Sequence, residues 1–339
     1  MTPARGAQQR TYGVSIAMCT YNAEKYLEEQ LESFLIQTLL PAELIIQDDD
    51  SSDRTAAMVE SFAKKATFRV SFAKNPTRLG PTGNFEQSMR RCTGDVVVFS
   101  DADDIWYRDR LEAAMCLLQR RQDVGCVFCD ADLVNSDGSR RGVTLWESIR
   151  FTEADQDNFE RGDIIDALLR RAMGFGGTMA VRRAAIGASL PIPRPWGHDS
   201  WTAAIGSAVY GAALIRRPLI KYRQHSTQYS GASGGSLLER LRKSRVPHMT
   251  RDWIPRGSSF EQLADRLDQF EAASPQPAIL RDLVFHARRK SAHQKMREEL
   301  SPRLATRLVP ILRDTLRLRY SRYSNGILSA LRDLVAGQY

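Results

Sequence analysis

The chain has 339 residues, of which 42% are hydrophobic and 26% charged, and these values are ordinary for a globular protein with a sizeable core. Because its best candidate for a membrane span, 203–215, is interrupted by glycine and serine, the sequence predicts no transmembrane helix. The polar residues 1–10 predict no secretory signal, and five cysteines without framework spacing are typical of a reducing cytoplasm.

The net charge of +8 is concentrated in the C-terminal third of the chain. Residues 237–339 contain 20 Lys and Arg against 11 Asp and Glu, whereas the rest of the chain is close to neutral. This excess indicates an anionic partner for the tail, such as a membrane surface or nucleic acid. A solvated helical face would have the same composition, so both interpretations stay open.

Residues 1–11 are expected to be a disordered lead-in. Beyond them, short apolar runs alternate with stretches of helical spacing, which is typical of an α/β fold with a parallel, doubly wound sheet. Asp137-Gly138 predicts a hairpin turn. Cys126 and Cys129 have C-x-x-C spacing inside an apolar run, which favours buried structural thiols over zinc or redox chemistry. The predicted strands are 13–19, 42–47, 68–72, 96–99 and 124–129, with helices over 24–38, 55–65, 84–91 and 110–121.

The second half of the chain is less regular. Residues 226–236, rich in Ser and Gly, predict a mobile lid and a domain boundary, and the chain beyond them has helical spacing broken by Pro and Ser. Further elements are a helix over 164–171, a glycine-rich approach to a strand at 174–181, a helix over 200–209 and a strand around 213–215.

Acidic residues gather where the predicted strand 96–99 ends. Asp101, Asp103 and Asp104 follow that strand directly. In open α/β sheets ligands bind at the carboxyl ends of strands, and grouped carboxylates suit a hard divalent cation that shares its ligands with substrate phosphates. A solvated turn that caps the next helix is the alternative, since Asp is a good N-cap residue.

Three further polar groups fall on loops at predicted strand ends. They are Thr20-Tyr21-Asn22, the segment 48–51 with its three aspartates, and His198-Asp199 with His225 downstream. If all lie at one edge of the sheet, they form a negatively charged rim that can hold a diphosphate through a bound cation.

These motifs resemble, in order and spacing, those of family 2 glycosyltransferases with the GT-A fold, over about the first 230 residues. Asp50 stands at a variable position where Gly or Asn is commoner, and no motif is assignable beyond about residue 235. The matching segments are 14–22, Asp48–Thr55 as D-D-x-S-x-D-x-T, Asn75, Gly80 and Asn84, and Ser100–Trp106 as S-D-x-D-D-x-W. His198-Asp199 and Tyr222–His225 are similar to the H-D and Y-R-x-H motifs of bacterial rhamnosyltransferases and other enzymes of cell-surface polysaccharides.

The resemblance implies a role for each matching residue and a catalytic domain over 12–235, followed by a basic, mainly helical region over 236–339. Asp199 would be the catalytic base. Nucleotide contacts would come from Thr20, Tyr21, Asn22, Asp49, Ser51, Asn84 and Asp101, with Asp49 on the base and Asp101 near the ribose and metal. Asp101, Asp103 and His225 would hold Mg²⁺ or Mn²⁺, and His198, Asp104 and Trp106 would orient the base or bind the acceptor.

The implied reaction is metal-dependent, inverting transfer of a hexosyl group from a nucleotide-diphosphate sugar, either dTDP-rhamnose or a UDP-sugar. The acceptor would be a saccharide or lipid-linked saccharide in surface polysaccharide synthesis. A fixed metal favours the departing diphosphate, and one carboxylate can take the proton of the acceptor hydroxyl. The expected location is cytoplasmic, with a peripheral contact at the inner face of the cell membrane.

Two other classes of function stay open. One is a non-enzymatic binder of anionic ligands or nucleic acid, although the aromatic platforms and basic motifs of nucleic-acid binders are not visible, so no nucleic-acid partner is expected. The other is a sugar-nucleotide hydrolase on the same fold.

The basic tail contains an amphipathic stretch over residues 303–319. It predicts either docking on a membrane or packing on the catalytic domain, with Pro310 as a kink. Its apolar side consists of Leu304, Leu308, Ile311, Leu312 and Leu316.

Overall fold

The computed structural model describes residues 13–163, 176–226, 228, 257–274, 276–301, 303–324 and 326–336. The predicted lead-in, the predicted helix over 164–171 and almost all of the predicted lid lie outside these ranges. The boundary near residue 235 also lies outside them and stays a prediction.

A mixed sheet of nine strands is the centre of the described structure. Its most buried strands are largely apolar runs, as is typical of parallel strands that are covered on both faces. The strands are β1 (Val14–Thr20), β2 (Glu43–Asp48), β3 (Arg69–Lys74), β4 (Val96–Ser100), β5 (Ile105–Trp106), β6 (Cys126–Asn135), β7 (Arg140–Thr144), β8 (Met179–Arg182) and β9 (Ala212–Gln224).

The strand order is β3-β2-β1-β4-β8-β6-β9-β5, with β7 paired to β6 through the predicted hairpin. The first four strands are parallel, as predicted, whereas β8 runs antiparallel to both β4 and β6. The register pairs Thr20 with Asp48 and Met18 with Ser100. The carboxyl ends of β1, β2 and β4 therefore meet at one edge, and the predicted polar loops follow them.

Two elements that contain a proline differ from their predicted bounds. The sequence predicts a strand around 213–215, whereas β9 has 13 residues and continues through Pro218, although proline lacks a backbone donor. Register shifts beside Asp130, the partner of Pro218, accommodate the missing hydrogen bond. The third helix begins at Gly80 rather than Asn84, because Pro81 lies in its first turn, where a proline is favourable.

Thirteen α-helices lie in the described ranges, and the last five form the predicted helical C-terminal region. Two short 3₁₀ turns, Gly176–Thr178 and Glu271–Ala273, accompany them. The helices are α1 (Leu27–Leu35), α2 (Thr55–Ala63), α3 (Gly80–Arg91), α4 (Arg110–Arg120), α5 (Leu145–Ser148), α6 (Glu153–Glu160), α7 (Arg183–Ser189), α8 (His198–Tyr210), α9 (Gly257–Asp268), α10 (Pro277–Glu298), α11 (Leu304–Leu316), α12 (Arg319–Tyr323) and α13 (Ile327–Ala336).

The main apolar core extends from the sheet into α9 and α10, where Phe260 and Leu280 are buried. A second, small cluster holds the last three helices to the end of α10. Cys126 and Cys129 are buried free thiols on β6, as the sequence predicts, and burial raises the pKa of each.

Candidate active site

Two carboxylates converge directly after β4, the buried Asp104 and the half-buried Asp101. The Oδ2 atoms of Asp101 and Asp104 each lie 3.1 Å from the position that a Cβ on Gly177 would occupy, so a larger residue there would displace both slightly. Asp104 is fully buried, and its Oδ1 accepts a hydrogen bond from the Arg223 backbone at 3.1 Å. Its Oδ2 has no hydrogen-bond partner among the described residues. Burial, with the charges of Asp103 and Asp101, raises the pKa of Asp104 well above its usual range.

Asp101 lies in the same electrostatic environment. Burial, together with the negative charges of Asp103 and Asp199, raises the pKa of Asp101 to about 7, and Arg110 opposes the shift. Burial is the largest cause for both acids, and their mutual repulsion adds to it. A bound cation would relieve that repulsion.

Asp103 and His225 form a close pair on the outer side of these acids. His225 Nε2 lies 2.7 Å from Asp103 Oδ2, and the imidazole packs against the Tyr26 ring with 4.8 Å between centroids. Arg223, which is 1% exposed, brings the two loops together because its Nε donates to the Asp103 carbonyl at 2.8 Å. The similarity to Y-R-x-H thus corresponds to a physical connection between the end of β9 and the acid loop.

The structure adds a buried arginine and a tyrosine to the predicted site residues. Arg110, at the start of α4, donates to the carbonyl of Gly177 and lies 4.2 Å from the centre of the Trp106 ring. Its charge lowers the pKa of both Asp101 and Asp104. Burial and the nearby acids raise the pKa of Tyr222, so its hydroxyl stays protonated. Their positions in the sequence could have identified them, because Arg110 follows the acid loop and Tyr222 belongs to the Y-R-x-H motif.

His198 and Asp199 open α8 beside the acid cluster. The His198 ring is stacked on Phe85, with centroids 3.8 Å apart and 12° between planes, and burial lowers its pKa. Asp199 Oδ1 accepts from the backbone of Ser200 at 2.6 Å, and its Oδ2 lies 3.7 Å from where a Cβ on Gly176 would be. Gly176 directly precedes Gly177, whose Cβ position meets Asp101 and Asp104, so Asp199 lies next to the acid cluster. The structure therefore brings the predicted base to the predicted metal and ribose ligands.

The predicted nucleotide loop after β1 is tied to the loop after β2. Thr20 Oγ1 donates to Asp48 at 2.7 Å, and Ser51 Oγ accepts from the Asn22 backbone at 2.8 Å. Tyr21 is 43% exposed, and the Arg78 guanidinium lies 3.7 Å from the centre of its ring. These contacts hold the loop and leave an aromatic surface at its tip.

Asp49 and Asn84 connect β2 to the start of α3. Asp49 accepts hydrogen bonds from the backbones of Leu79 at 2.7 Å and Gly80 at 2.9 Å, and from Asn75 Nδ2 at 2.9 Å. Asn84 is 2% exposed and donates to the Gln47 carbonyl at 2.9 Å. The N…G…N spacing therefore has a structural explanation, and the predicted contacts of Asp49 and Asn84 with the nucleotide stay predictions.

Trp106 belongs to the apolar core, where it is 2% exposed. Its ring meets the edge of Phe34 with 4.7 Å between centroids. Its ring packs against the Arg110 guanidinium and so supports the acid cluster.

The arrangement suits a cation that takes part of its ligands from substrate. Among the described residues no group of three or more His, Cys, Asp or Glu side chains is arranged to hold a metal ion. Asp103 and His225 nevertheless offer two neighbouring ligands, and Mg²⁺ in nucleotide sites commonly uses one or two carboxylates plus phosphates. His is an acceptable ligand for Mn²⁺ and an unusual one for Mg²⁺. The orphaned Asp104 oxygen and the raised pKa of Asp101 fit an adjacent positive charge.

Comparison with known proteins agrees with this geometry. The chain is 30% identical over 125 residues to WfgD of Escherichia coli, a UDP-Glc:alpha-D-GlcNAc-diphosphoundecaprenol beta-1,3-glucosyltransferase. The aligned residues cover 37% of this chain and 48% of WfgD. The chain is 34% identical over 106 residues to the dTDP-rhamnosyl transferase RfbG of Shigella flexneri, covering 30% and 37% of the two chains. The chain thus spans about half or less of the length of these two relatives.

Solved structures extend the likeness along the chain. The crystal structure of Staphylococcus aureus TarS 1–349 in complex with UDP-GlcNAc has a TM-score of 0.60 at 15% identity, over 96% of this chain and 93% of that one. The GT-A fold with a helical C-terminal region is therefore confirmed. The family model described as Glycosyl transferase family 2 matches residues 15–183. The chain belongs to this family.

Proposed function

We propose that this protein is a metal-dependent, inverting glycosyltransferase that moves a sugar from a nucleotide-diphosphate donor to an acceptor hydroxyl. The observation that carries the proposal is that Asp101 and Asp199 lie against the adjacent glycines Gly177 and Gly176, with Asp103 in the same loop as Asp101. Such a set provides cation ligands and a separate proton acceptor within one site.

Donor binding is assigned to the loops after β1, β2 and β4. The contacts with the nucleoside are assigned to Thr20, Tyr21, Asn22, Asp49, Ser51 and Asn84. The exposed ring of Tyr21 would contact the base. Asp101 would lie near the ribose and the metal, and Asp103 and His225 would hold Mg²⁺ or Mn²⁺. When bound, the metal would offset the charge that develops on the departing diphosphate.

Proton transfer is assigned to Asp199. Its Oδ1 is fixed by the Ser200 backbone, which leaves Oδ2 on the side of Gly176 to accept the proton of the acceptor hydroxyl. A single base opposite the leaving group gives inversion at the anomeric carbon, since no enzyme nucleophile is needed. The buried His198 and the first turn of α8 hold Asp199 in position, and Asp104 supports the loop that carries Asp103.

The donor is proposed to be dTDP-rhamnose or a UDP-sugar, and the acceptor a saccharide or lipid-linked saccharide in surface polysaccharide synthesis at the cytoplasmic side of the membrane. The names of RfbG and WfgD support both donors, and that of WfgD supports a lipid-linked acceptor.

The assignment of the base predicts the behaviour of Asp199→Asn. Turnover should fall by about 10²–10⁴-fold, because the amide cannot take the proton, while nucleotide affinity stays close to that of the wild type. Product formation from the donor measures turnover, and calorimetry with the free nucleotide measures binding. Asp265→Asn, which neutralises an exposed acid on α9, is the matched control. Turnover of Asp199→Asn at the wild-type rate would remove Asp199 as the base.

A thermal-shift panel with UDP, dTDP, GDP and CDP, each with and without Mn²⁺, tests the donor and the metal. A ligand at a hundred times its dissociation constant stabilises the native state by roughly 2.7 kcal/mol, so one diphosphate should raise the melting temperature and a chelator should reverse the rise. His225→Ala should weaken the metal-dependent part. An equal shift with and without Mn²⁺ would contradict metal dependence. Donor consumption without an acceptor product would indicate a hydrolase.

A further inference from the structure

The last helices present rows of apolar side chains to solvent. Leu304, Leu308, Leu312 and Leu316 recur every four residues along α11, and their exposure runs from 41% to 83%. A second row on α13, which packs against α11, contains Ile327, Leu331 and Val335, at 52% to 81%. Val309, Leu318 and Leu328 are exposed as well. Single exposed leucines are ordinary, but ten exposed apolar side chains within one short region mark an interaction surface.

Packing on the catalytic domain accounts for little of this surface. Of the five apolar residues predicted on one side of 303–319, only Ile311 is buried, at 4% exposure. It joins Tyr320 and Ala330 in the small cluster that holds the three helices together. Within the described part of the chain, the four leucines of α11 therefore stay largely uncovered.

The charges on the same helices are of one sign at the surface. Residues 303–336 contain two acids, and both are buried and paired. Asp314 lies 2.8 Å from His293 Nδ1 and also accepts from Arg319, whereas Asp333 accepts two hydrogen bonds from Arg297. The exposed charged residues are Arg303, Arg313, Arg317, Arg322 and Arg332.

We propose that α11 to α13 dock on the surface of an anionic lipid bilayer. The exposed leucines, isoleucine and valines would enter the interface, and the arginines would lie among the lipid phosphates. No helix in the described ranges is long and apolar enough to cross a bilayer, so the contact is one on the surface. A second copy of the chain fits less well, because a symmetric interface would bring five arginines against five with no exposed acid to pair them.

Sedimentation with vesicles tests the proposal on the full chain. We expect the protein to bind vesicles of phosphatidylglycerol mixed with phosphatidylcholine, and to bind those of phosphatidylcholine alone at least tenfold more weakly. Part of the binding should persist at high salt, because salt screens the arginines but not the apolar contact.

Two pairs of substitutions separate the charged and apolar parts. Arg317→Gln with Arg332→Gln should weaken binding to the anionic vesicles by roughly tenfold or more. Leu316→Ser with Val335→Ser should also weaken it by about tenfold, because these side chains, 83% and 81% exposed, have little role in folding. Matched controls on the catalytic domain are Arg120→Gln with Arg141→Gln, and Ile36→Ser with Leu40→Ser, all at exposed positions. Both control pairs should bind like the wild type.

Three results would overturn the proposal. The first is no binding of the wild type to anionic vesicles at low salt. The second is an equal loss in the arginine pair and its control, which would indicate attraction by net charge alone. The third is a dimer that Leu316→Ser with Val335→Ser converts to a monomer by analytical ultracentrifugation while vesicle binding is unchanged, since a second copy would then cover the surface.

Discussion

Arg110 is a buried cation whose positive charge partly offsets the negative charge of the acid cluster. Its guanidinium donates to the Gly177 carbonyl and lowers the pKa of Asp101 and Asp104. Arg110→Met keeps much of the side-chain volume but removes the charge, so the buried Asp104 and the half-buried Asp101 lose their opposing cation. We expect the free energy of unfolding to fall by about 3–5 kcal/mol, measured by urea denaturation.

The exposed Arg120 on the same helix supplies the control for this prediction. Arg120→Met should change the free energy of unfolding by no more than about 0.5 kcal/mol, since it removes the same charge from solvent. Equal urea midpoints for the two variants would show that Arg110 does not stabilise the cluster.

The acids of the site could be predicted from the sequence, whereas Arg110 could not. Asp101, Asp103 and Asp104 stand next to one another after an apolar run, so their convergence is a local property of the chain. The main partner of Arg110 is a carbonyl 67 residues away, and that contact exists only once β8 is in place. The pairing of Asp103 with His225, 122 residues apart, was accessible only through the resemblance of the motifs.

Close contact between α8 and β6 is a feature at the scale of elements. A Cβ on Gly206 would lie 2.3 Å from Cys126 Sγ, so the helix approaches the strand more closely than any residue except glycine allows. Gly206→Ala should destabilise the protein by about 1–3 kcal/mol through overpacking. Adding Cys126→Ala removes the sulfur in the way and should recover part of that loss, and urea denaturation of the four proteins of the cycle measures the coupling.

Gly187 on α7 provides a matched glycine without a neighbour. No atom lies within 4 Å of its Cβ position, and Gly187→Ala should therefore be neutral or stabilising by about 0.5–1 kcal/mol. Additive effects of Gly206→Ala and Cys126→Ala would mean that the two residues do not oppose each other.

The order of the strands was less predictable than their existence. Hydrophobic runs identify β1, β2 and β4 because these strands are buried along almost their whole length, so the signal of each lies within its own residues. Strand β8 inserts between β4 and β6 in antiparallel orientation, although β6 precedes it in the chain. That placement depends on pairings over long separations, which local periodicity does not contain.

At the scale of the whole molecule, the C-terminal helices are joined to the segment that carries the proposed base. Phe260 on α9 packs against Trp196 with 5.3 Å between ring centroids, and Trp196 Nε1 donates to the Ser259 carbonyl at 3.1 Å. Trp196 stands just before His198 and Asp199. The composition of 226–236 predicts a boundary between two regions, yet the core passes from one to the other. The composition of 226–236 describes only the linking segment. It contains no information about which surfaces of the two regions pack together.

This contact predicts that Phe260→Ala affects both stability and turnover. Loss of a buried aromatic ring should lower the free energy of unfolding by about 3–5 kcal/mol, measured by urea denaturation. It also removes the support of Trp196, so Asp199 should be held less firmly and kcat should fall, while nucleotide affinity, which depends on loops after β1, β2 and β4, changes little. Turnover is measured well below the unfolding transition of the variant.

Phe285→Ala on α10 is the control, because that ring is 52% exposed and its loss should cost less than about 1 kcal/mol with turnover unchanged. The comparison separates two roles for the C-terminal helices. If Phe260→Ala is destabilised but its folded fraction turns over at the wild-type rate, α9 and α10 only stabilise the core. If kcat falls in Phe260→Ala but not in Phe285→Ala, α9 and α10 position the base as well. A contact made by α11 to α13 would then be connected to the site through α10 and α9.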